Sequence, residues 1–367
     1  MTEGVQLPES AAPAPGRTRA QNVRRVIAAV ISVVVIVGIF VGVLPRIADY
    51  GEVWDTIKAM SWIEIATLLV VGMFNIITYL FVMMAVLPGL TFWQAFVVNN
   101  ASTAISNTLP AGGVVGVGVT YSMYRSWGFG NDDIGRSVLV SGVWNTFVKL
   151  AMPILALALL ALTGGVSAAR LLAAAVGIGV LIAAVVLFTM ILRSERLAQR
   201  VGNGLGRLVG YVLRLFKRPA PTTWGDAAAR FRANTVELLQ GRWLWLTASA
   251  VLSHTALYLV LLVALRHVGV SQAELSWVEV LATFAFVRLI SALPITPGGV
   301  GVVELGYAAA LVAAGEEGIE AQVVAAILVF RAITYFLPIP IGVATFLVWR
   351  AKRSWRQAPE HVAPGAV

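Results

Sequence analysis

Long runs of apolar residues alternate with short polar stretches along the whole chain. Several of these runs extend over roughly 20 residues, which lets a helix cross about 30 Å of hydrocarbon. No run shows the two-residue alternation of a barrel strand. The pattern therefore predicts an all-α polytopic membrane protein.

The uninterrupted runs predict helices at 26–44, 63–87, 134–162, 168–192, 243–265 and 319–349. Two further stretches, 92–127 and 275–314, are broken by proline and glycine, so we expect each to form two short helices around its break. Each broken stretch is compatible with a re-entrant hairpin or with a pair of full membrane crossings. Pro153 and Pro338 predict kinks in the long helices that contain them.

Residues 193–242 interrupt the apolar pattern with an arginine-rich insert. From Leu197 to Phe216, apolar residues recur at three- and four-residue steps while arginines occupy other positions. This pattern predicts an amphipathic helix at the membrane surface, bound to anionic lipid headgroups. A solvated charged linker is the alternative.

The net charge of +9 comes from arginines and lysines that flank the apolar runs. This placement predicts how the chain is oriented in a bacterial inner membrane, with both termini in the cytoplasm. It argues against nucleic-acid binding. The predicted organisation is a disordered cytoplasmic tail (1–22), a first helix and external loop (23–60), a first repeat plus connecting helix (61–192), the cytoplasmic insert (193–242), a second repeat (243–350) and a cytoplasmic tail (351–367).

The two broken stretches resemble each other. Leu109-Pro110 and Gly112-Gly113 in the first correspond to Leu293-Pro294 and Gly298-Gly299 in the second, and a proline-containing helix follows each. The arginine flanks give the two halves opposite orientations in the membrane. The sequence therefore predicts an inverted-topology repeat, an architecture of secondary transporters whose site lies near the midplane.

Four charged residues fall inside predicted membrane segments: Lys149, Arg288, Glu304 and Arg331. Charges at that depth are costly and indicate a functional site. Three cations against one carboxylate favour an anion such as a phosphate group. The alternative is that Arg288 and Glu304 pair only to brace the second hairpin, while Lys149 extends toward the surface.

Several kinds of chemistry are disfavoured. The chain has no cysteine, and its three histidines lie in unrelated segments, so we expect no metal site and no cofactor. No nucleotide-binding loop is present, which argues against direct ATP coupling. The interior offers only Glu304 and His254 as general bases, so an enzyme is the weaker reading.

The stretches Asn107–Gly113 and Leu293–Glu304 resemble the lysylphosphatidylglycerol synthase transmembrane-region family, the flippase-like module of bacterial multiple peptide resistance factors. The resemblance covers about Arg25 to Arg353 and implies lipid translocation. It places the family's glutamate on Glu304 and a basic residue approximately on Arg125. Only a short tail follows Trp349, so we expect no lysylphosphatidylglycerol synthesis.

The leading hypothesis is a lipid flippase, not an enzyme, that moves an anionic or zwitterionic phospholipid, or a polyprenyl-phosphate lipid, between leaflets. Glu304 would carry a coupling proton with Arg288 as its partner, and Arg331 and Lys149 would contact the headgroup. A membrane-embedded lipid-phosphate enzyme and a non-transporting envelope scaffold are the alternatives. The predicted substrate site comprises Arg288, Glu304, Arg331, Lys149, Asn107, Gly112, Gly113, Gly298, Gly299 and Arg125.

Overall fold

The computed structural model describes residues 38–109, 112–162, 168–215, 224–291, 296 and 299–352. Most of the predicted first helix, residues 26–37, lies outside this part. Its described end consists of a π-helical turn, Gly38–Val43, and a 3₁₀ turn, Leu44–Arg46. The predicted terminal tails, 1–22 and most of 351–367, also lie outside the described residues.

Helices account for nearly all of the described part. In chain order they are α1 (Tyr50–Ala59), α2 (Trp62–Val86), α3 (Phe92–Thr108), α4 (Gly112–Ser126), α5 (Asn131–Leu162), α6 (Ala168–Arg193), α7 (Glu195–Leu215), α8 (Trp224–His267), α9 (Trp277–Ile290), α10 (Val302–Ala314), α11 (Glu320–Arg331) and α12 (Pro338–Ala351). Five described segments are long and apolar enough to cross a membrane: Trp62–Val86, Asn131–Leu162, Ala175–Arg193, Trp224–His267 and Glu320–Ala351. The prediction of an all-α, multi-pass membrane protein is confirmed.

The two broken stretches form pairs of short helices, as predicted. In the first, α3 has 17 residues and α4 has 15; in the second, α9 has 14 and α10 has 13. The helices of each pair pack against each other. At 1.5 Å per residue, each is shorter than the roughly 30 Å hydrocarbon core.

Several helices begin at side-chain caps that the sequence encodes. Ser61 with Glu64, Thr91 with Gln94, and Ser276 with Glu279 form capping boxes at α2, α3 and α9. These reciprocal bonds satisfy backbone N–H groups that a helix start leaves free. They fix where α2 and the first helix of each broken pair begin.

Two regions differ from the predicted elements. The predicted external loop before residue 61 contains α1, whose first amide groups donate to the Asp49 carboxylate, with Gly51 N–H at 2.7 Å. The amphipathic helix is present as α7, but α8 begins at Trp224 and runs unbroken to His267, earlier than the predicted start at Trp243. No proline interrupts Trp224–Gln240, so the membrane helix continues into the polar insert.

The last apolar run is a helix with a π-helical interruption at Ala332–Phe336, immediately before Pro338. The Leu337 N–H bonds the Ala332 carbonyl at 2.8 Å, five residues back. A proline ring clashes with the carbonyl four residues earlier, so the wider π turn relieves that contact. The α5 helix, in contrast, remains α-helical through Pro153.

The packing of the membrane helices is reciprocal between the two halves. Helix α2 packs along α8, α3 along α12, and α5 against α9. The contact of α3 with α12 is close because Gly342 lies directly on the Asn100 backbone, where any side chain would collide. The first helix of each broken pair, α3 or α9, therefore packs against a helix from the other repeat of the predicted organisation.

Candidate functional site

The second broken stretch ends in a buried, charged helix start. Gly301 adopts φ +84°, a conformation that favours glycine, and precedes the first turn of α10. The Glu304 carboxylate accepts the Gly301 N–H at 2.7 Å through Oε2, and its other oxygen, Oε1, lies 2.7 Å from Arg331 Nε. Glu304 and Arg331 are both buried. The carboxylate is thus satisfied by a helix N-terminus and by a guanidinium.

The predicted partner of Glu304 was wrong. Arg331, on α11, forms the ion pair, whereas Arg288, on α9, makes no salt bridge to any described carboxylate. The Arg331 guanidinium also stacks on the Tyr335 ring, 4.3 Å from its centroid. The role of Arg331 as a headgroup contact stays a prediction, and the structure places its guanidinium between Glu304 and Tyr335.

Asn107, another predicted site residue, links α3 to the π-helical segment before α12. Its side-chain Nδ2 donates to the Tyr335 carbonyl at 3.0 Å, and the Tyr335 hydroxyl donates to the Asn107 carbonyl at 2.5 Å. Tyr335 lies in the π-helical segment that follows Arg331. The ion pair, the stacked ring and this two-bond link form one continuous polar connection between α10 and the end of α3.

A separate polar cavity of about 390 Å³ lies beside this connection. Its walls come from α2, α3, α5, α8, α9 and the π-helical segment with the start of α12. The polar lining residues are Asn75, Tyr79, Asn99, Asn100, Thr103, Asn145, Lys149, Ser253, His254, Arg288 and Thr334. Of the four predicted intramembrane charges, Lys149 and Arg288 line this cavity, whereas Glu304 and Arg331 do not.

The charge of the cavity is positive. Lys149 and Arg288 are among its lining residues and no aspartate or glutamate is. Three lining groups have a buried polar atom with no hydrogen-bond partner: Arg288 Nε, His254 Nε2 and Asn100 Oδ1. Buried polar atoms are normally paired, so these groups offer hydrogen-bonding positions to water or to a polar ligand. The surplus of cations favours an anion.

The sequence signals for this lining were weak. Asn99 and Asn100 lie on α3, in the first broken stretch, and were not among the predicted site residues. Asn75, Tyr79 and Asn145 were not predicted as site residues. Asn145 Nδ2 donates to the Tyr79 hydroxyl at 3.4 Å, so these side chains contact across α2 and α5. For Asn75 and Asn145, the sequence signal was a single amide residue within an otherwise apolar run.

The other predicted site residues that the structure describes do not line the polar cavity. Arg125 is exposed at the end of α4 and donates to the Phe129 carbonyl at 3.2 Å. Gly112 allows α4 to approach the backbone of Ser106, and Gly113 faces open space. Gly299 takes φ +71° in the turn before α10, and Gly298 lies outside the described residues.

Comparison with known proteins supports the resemblance seen in the motifs. The family model described as "Lysylphosphatidylglycerol synthase TM region" matches residues 26–342. This range contains both broken stretches, the ion pair and the whole lining of the polar cavity. A search of curated proteins found no match.

Proposed function

The chain belongs to the lysylphosphatidylglycerol synthase transmembrane-region family, and we propose that it moves phospholipids with an anionic, phosphate-bearing headgroup between the leaflets of the bacterial cytoplasmic membrane. The observation that carries this proposal is the polar cavity within the membrane helices. Two cationic side chains line it, and no carboxylate does. A negatively charged headgroup supplies the missing partner.

Each lining residue has a role that its chemistry permits. Arg288 presents a planar set of donors that matches two phosphate oxygens, and Lys149 adds a point charge. The amides of Asn75, Asn99 and Asn145 can bond the hydroxyls or carbonyls of the rest of the headgroup. These polar groups replace the water that a headgroup loses on entering the bilayer.

An inverted repeat is part of the proposal and is supported by the reciprocal packing. Helix α3 of the first half packs on α12 of the second, and α9 of the second packs on α5 of the first. A two-fold relation between the halves would produce such exchange. The short helices of each pair suit re-entrant hairpins, because none is long enough to cross alone.

The orientation we propose places both termini and the α7 helix in the cytoplasm. Helix α7 packs on α8 through Gly202 and Gly206, while Leu205 and Leu208 are exposed. Exposed leucines among arginines favour contact with anionic lipid at the membrane surface. Reporters fused in the 216–223 segment should therefore report the cytoplasm; an external location would contradict this orientation.

Lipid movement needs no covalent step, so we propose a transporter and not an enzyme. The one carboxylate that was a candidate base, Glu304, is held by Arg331 and by Gly301 N–H outside the cavity lining. Hydrolysis or group transfer would need a base or nucleophile beside the phosphate. Mass spectrometry of the lipids after transport should find the same species as before.

The test is transport of labelled phosphatidylglycerol in proteoliposomes that contain Arg288→Gln. A hydrogen bond to a charged group contributes about 1.5–3 kcal/mol, so we expect transport to fall roughly tenfold to a hundredfold. Arg230→Gln, which removes the same charge from an exposed position on α8, is the matched control and should transport like wild type. Wild-type transport by folded Arg288→Gln, or a new lipid species, would overturn the proposal.

A further inference from the structure

A second cavity, larger and apolar, runs along the other side of α5 and α8. Its volume is about 680 Å³, and α6 and α9 complete its walls. No charged residue lines it. Its lining is mainly aliphatic and aromatic, including Phe147, Leu155, Val185, Phe188 and Val251. We call it the apolar groove.

The apolar groove and the polar cavity share one residue, His254 of α8. The imidazole is 4% exposed, its Nδ1 lies 3.0 Å from the Ala250 carbonyl, and its Nε2 has no partner. Helix α5 likewise presents Asn145 and Lys149 to the polar cavity and Phe147 to the groove. The polar and apolar compartments are therefore adjacent across one helix pair.

The length of the groove along α8 matches the thickness of the hydrocarbon core of a bilayer. Along α8 its lining extends from Leu239 to Tyr258, which is about 28 Å at 1.5 Å per residue. The hydrocarbon core is roughly 30 Å thick. A chain lying in the groove could therefore point toward either membrane surface while its headgroup stays at the level of the polar cavity.

One end of the groove has a packed aromatic wall. Trp144, Phe147 and Phe188 meet at centroid distances of 5.6 to 5.9 Å, two of the three contacts being edge-on. The Trp144 indole N–H donates to the Thr247 hydroxyl at 2.9 Å, which ties α5 to α8. These ring contacts and the hydrogen bond give the wall a fixed shape.

From these observations we infer that the apolar groove holds an acyl chain of the same phospholipid whose phosphate enters the polar cavity. The inference rests on the proposed function and adds where the acyl chain of the transported lipid lies. An amphiphile needs adjacent polar and apolar compartments, and burial of its chain adds free energy in proportion to the area covered. The shared His254 would lie where the headgroup joins the chain.

The test uses phosphatidylglycerol with a photoreactive diazirine in the middle of one acyl chain. After illumination of the wild-type protein in vesicles, adducts should concentrate on groove residues of α5, α6 and α8. Val185→Trp fills the groove, and Val186→Trp places the same side chain on the neighbouring exposed position that does not line it. We expect Val185→Trp to lower both groove adducts and transport about tenfold, since the added ring excludes the chain, and Val186→Trp to lower neither.

Binding of water-soluble glycerol phosphate separates the two compartments. It should persist in Val185→Trp, which also shows that this variant is folded, and be lost in Arg288→Gln. Adducts spread evenly over the outer faces, or equal transport by the two tryptophan variants, would overturn the inference and leave the proposed function standing. Groove adducts without any wild-type transport would support the groove assignment and contradict the proposed function.

Discussion

Two arginines within the membrane helices, Arg288 and Arg331, have opposite surroundings. Arg331 lies 2.7 Å from the Glu304 carboxylate and stacks on Tyr335, so its positive charge has a negative partner. Arg288 lines a cavity with Lys149, and its Nε has no hydrogen-bond partner. The first region joins helices of the second half to each other and, through Tyr335, to α3. The second region is open to an occupant.

The difference shows how a structural charge can be separated from a functional one inside a membrane. A buried ion pair can be replaced by packing with little loss, so its presence alone is weak evidence for function. A cation that faces a cavity without a carboxylate has no such explanation among the described residues.

The largest expected effect is a loss of stability when the Glu304–Arg331 ion pair is broken. Glu304→Gln keeps an acceptor for Gly301 N–H but removes the charge that faces Arg331. Breaking a buried pair costs about 3–5 kcal/mol, so the free energy of unfolding should fall by that amount. Thermal unfolding in detergent measures it.

The double variant Glu304→Gln with Arg331→Met controls for the unpaired charge. It removes both charges and should recover most of the lost stability. If the double variant is as unstable as Glu304→Gln alone, the pair is not the reason for the loss, and the structural role assigned to it is wrong.

An intermediate effect is expected where the two halves touch. Gly342→Ala would drive a methyl group into the Asn100 backbone of α3, so α3 and α12 must separate. We expect a loss of about 1–3 kcal/mol, typical of overpacking. The measurement is again thermal unfolding in detergent.

Gly113→Ala is the matched control for this contact, because the added methyl group meets nothing within 4 Å. It should leave stability unchanged or raise it by up to about 1 kcal/mol, since alanine favours the helix. Equal destabilisation by both glycine variants would contradict the close contact of α3 with α12.

The smallest expected change in stability comes from Arg288→Gln. No carboxylate loses its partner, so the free energy of unfolding should change by less than about 1 kcal/mol or increase. The same variant should nevertheless lose transport. A loss of stability as large as that of Glu304→Gln would mean that Arg288 is also structural.

Most of the helical architecture follows from the sequence for a simple reason. A bilayer requires long apolar runs, and glycine and proline mark where such runs break, so α2, α5 and the two broken pairs could be predicted closely. The start of α8 could not, because helix propensity continues from the charged insert into the apolar segment without a stop signal. The inverted repeat and the domain boundaries remain predictions.

The site was only partly predictable. Lys149 and Arg288 were predicted as site residues because charge within an apolar run is visible in a sequence, and both line the polar cavity. Which arginine reaches Glu304 depends on how α9, α10 and α11 cross, and no pattern along the chain encodes this. The single amides Asn75 and Asn145 gained meaning only when the fold placed them around one cavity.

The most direct test of the central claim is a structure of the wild-type protein in nanodiscs of anionic phospholipid. The account predicts density for a phosphate group within hydrogen-bond distance of Arg288 and Lys149 in the polar cavity, with the Glu304–Arg331 pair intact. A phosphate bound at Arg331 in place of Glu304, or a transport-competent protein whose polar cavity holds no headgroup, would contradict it.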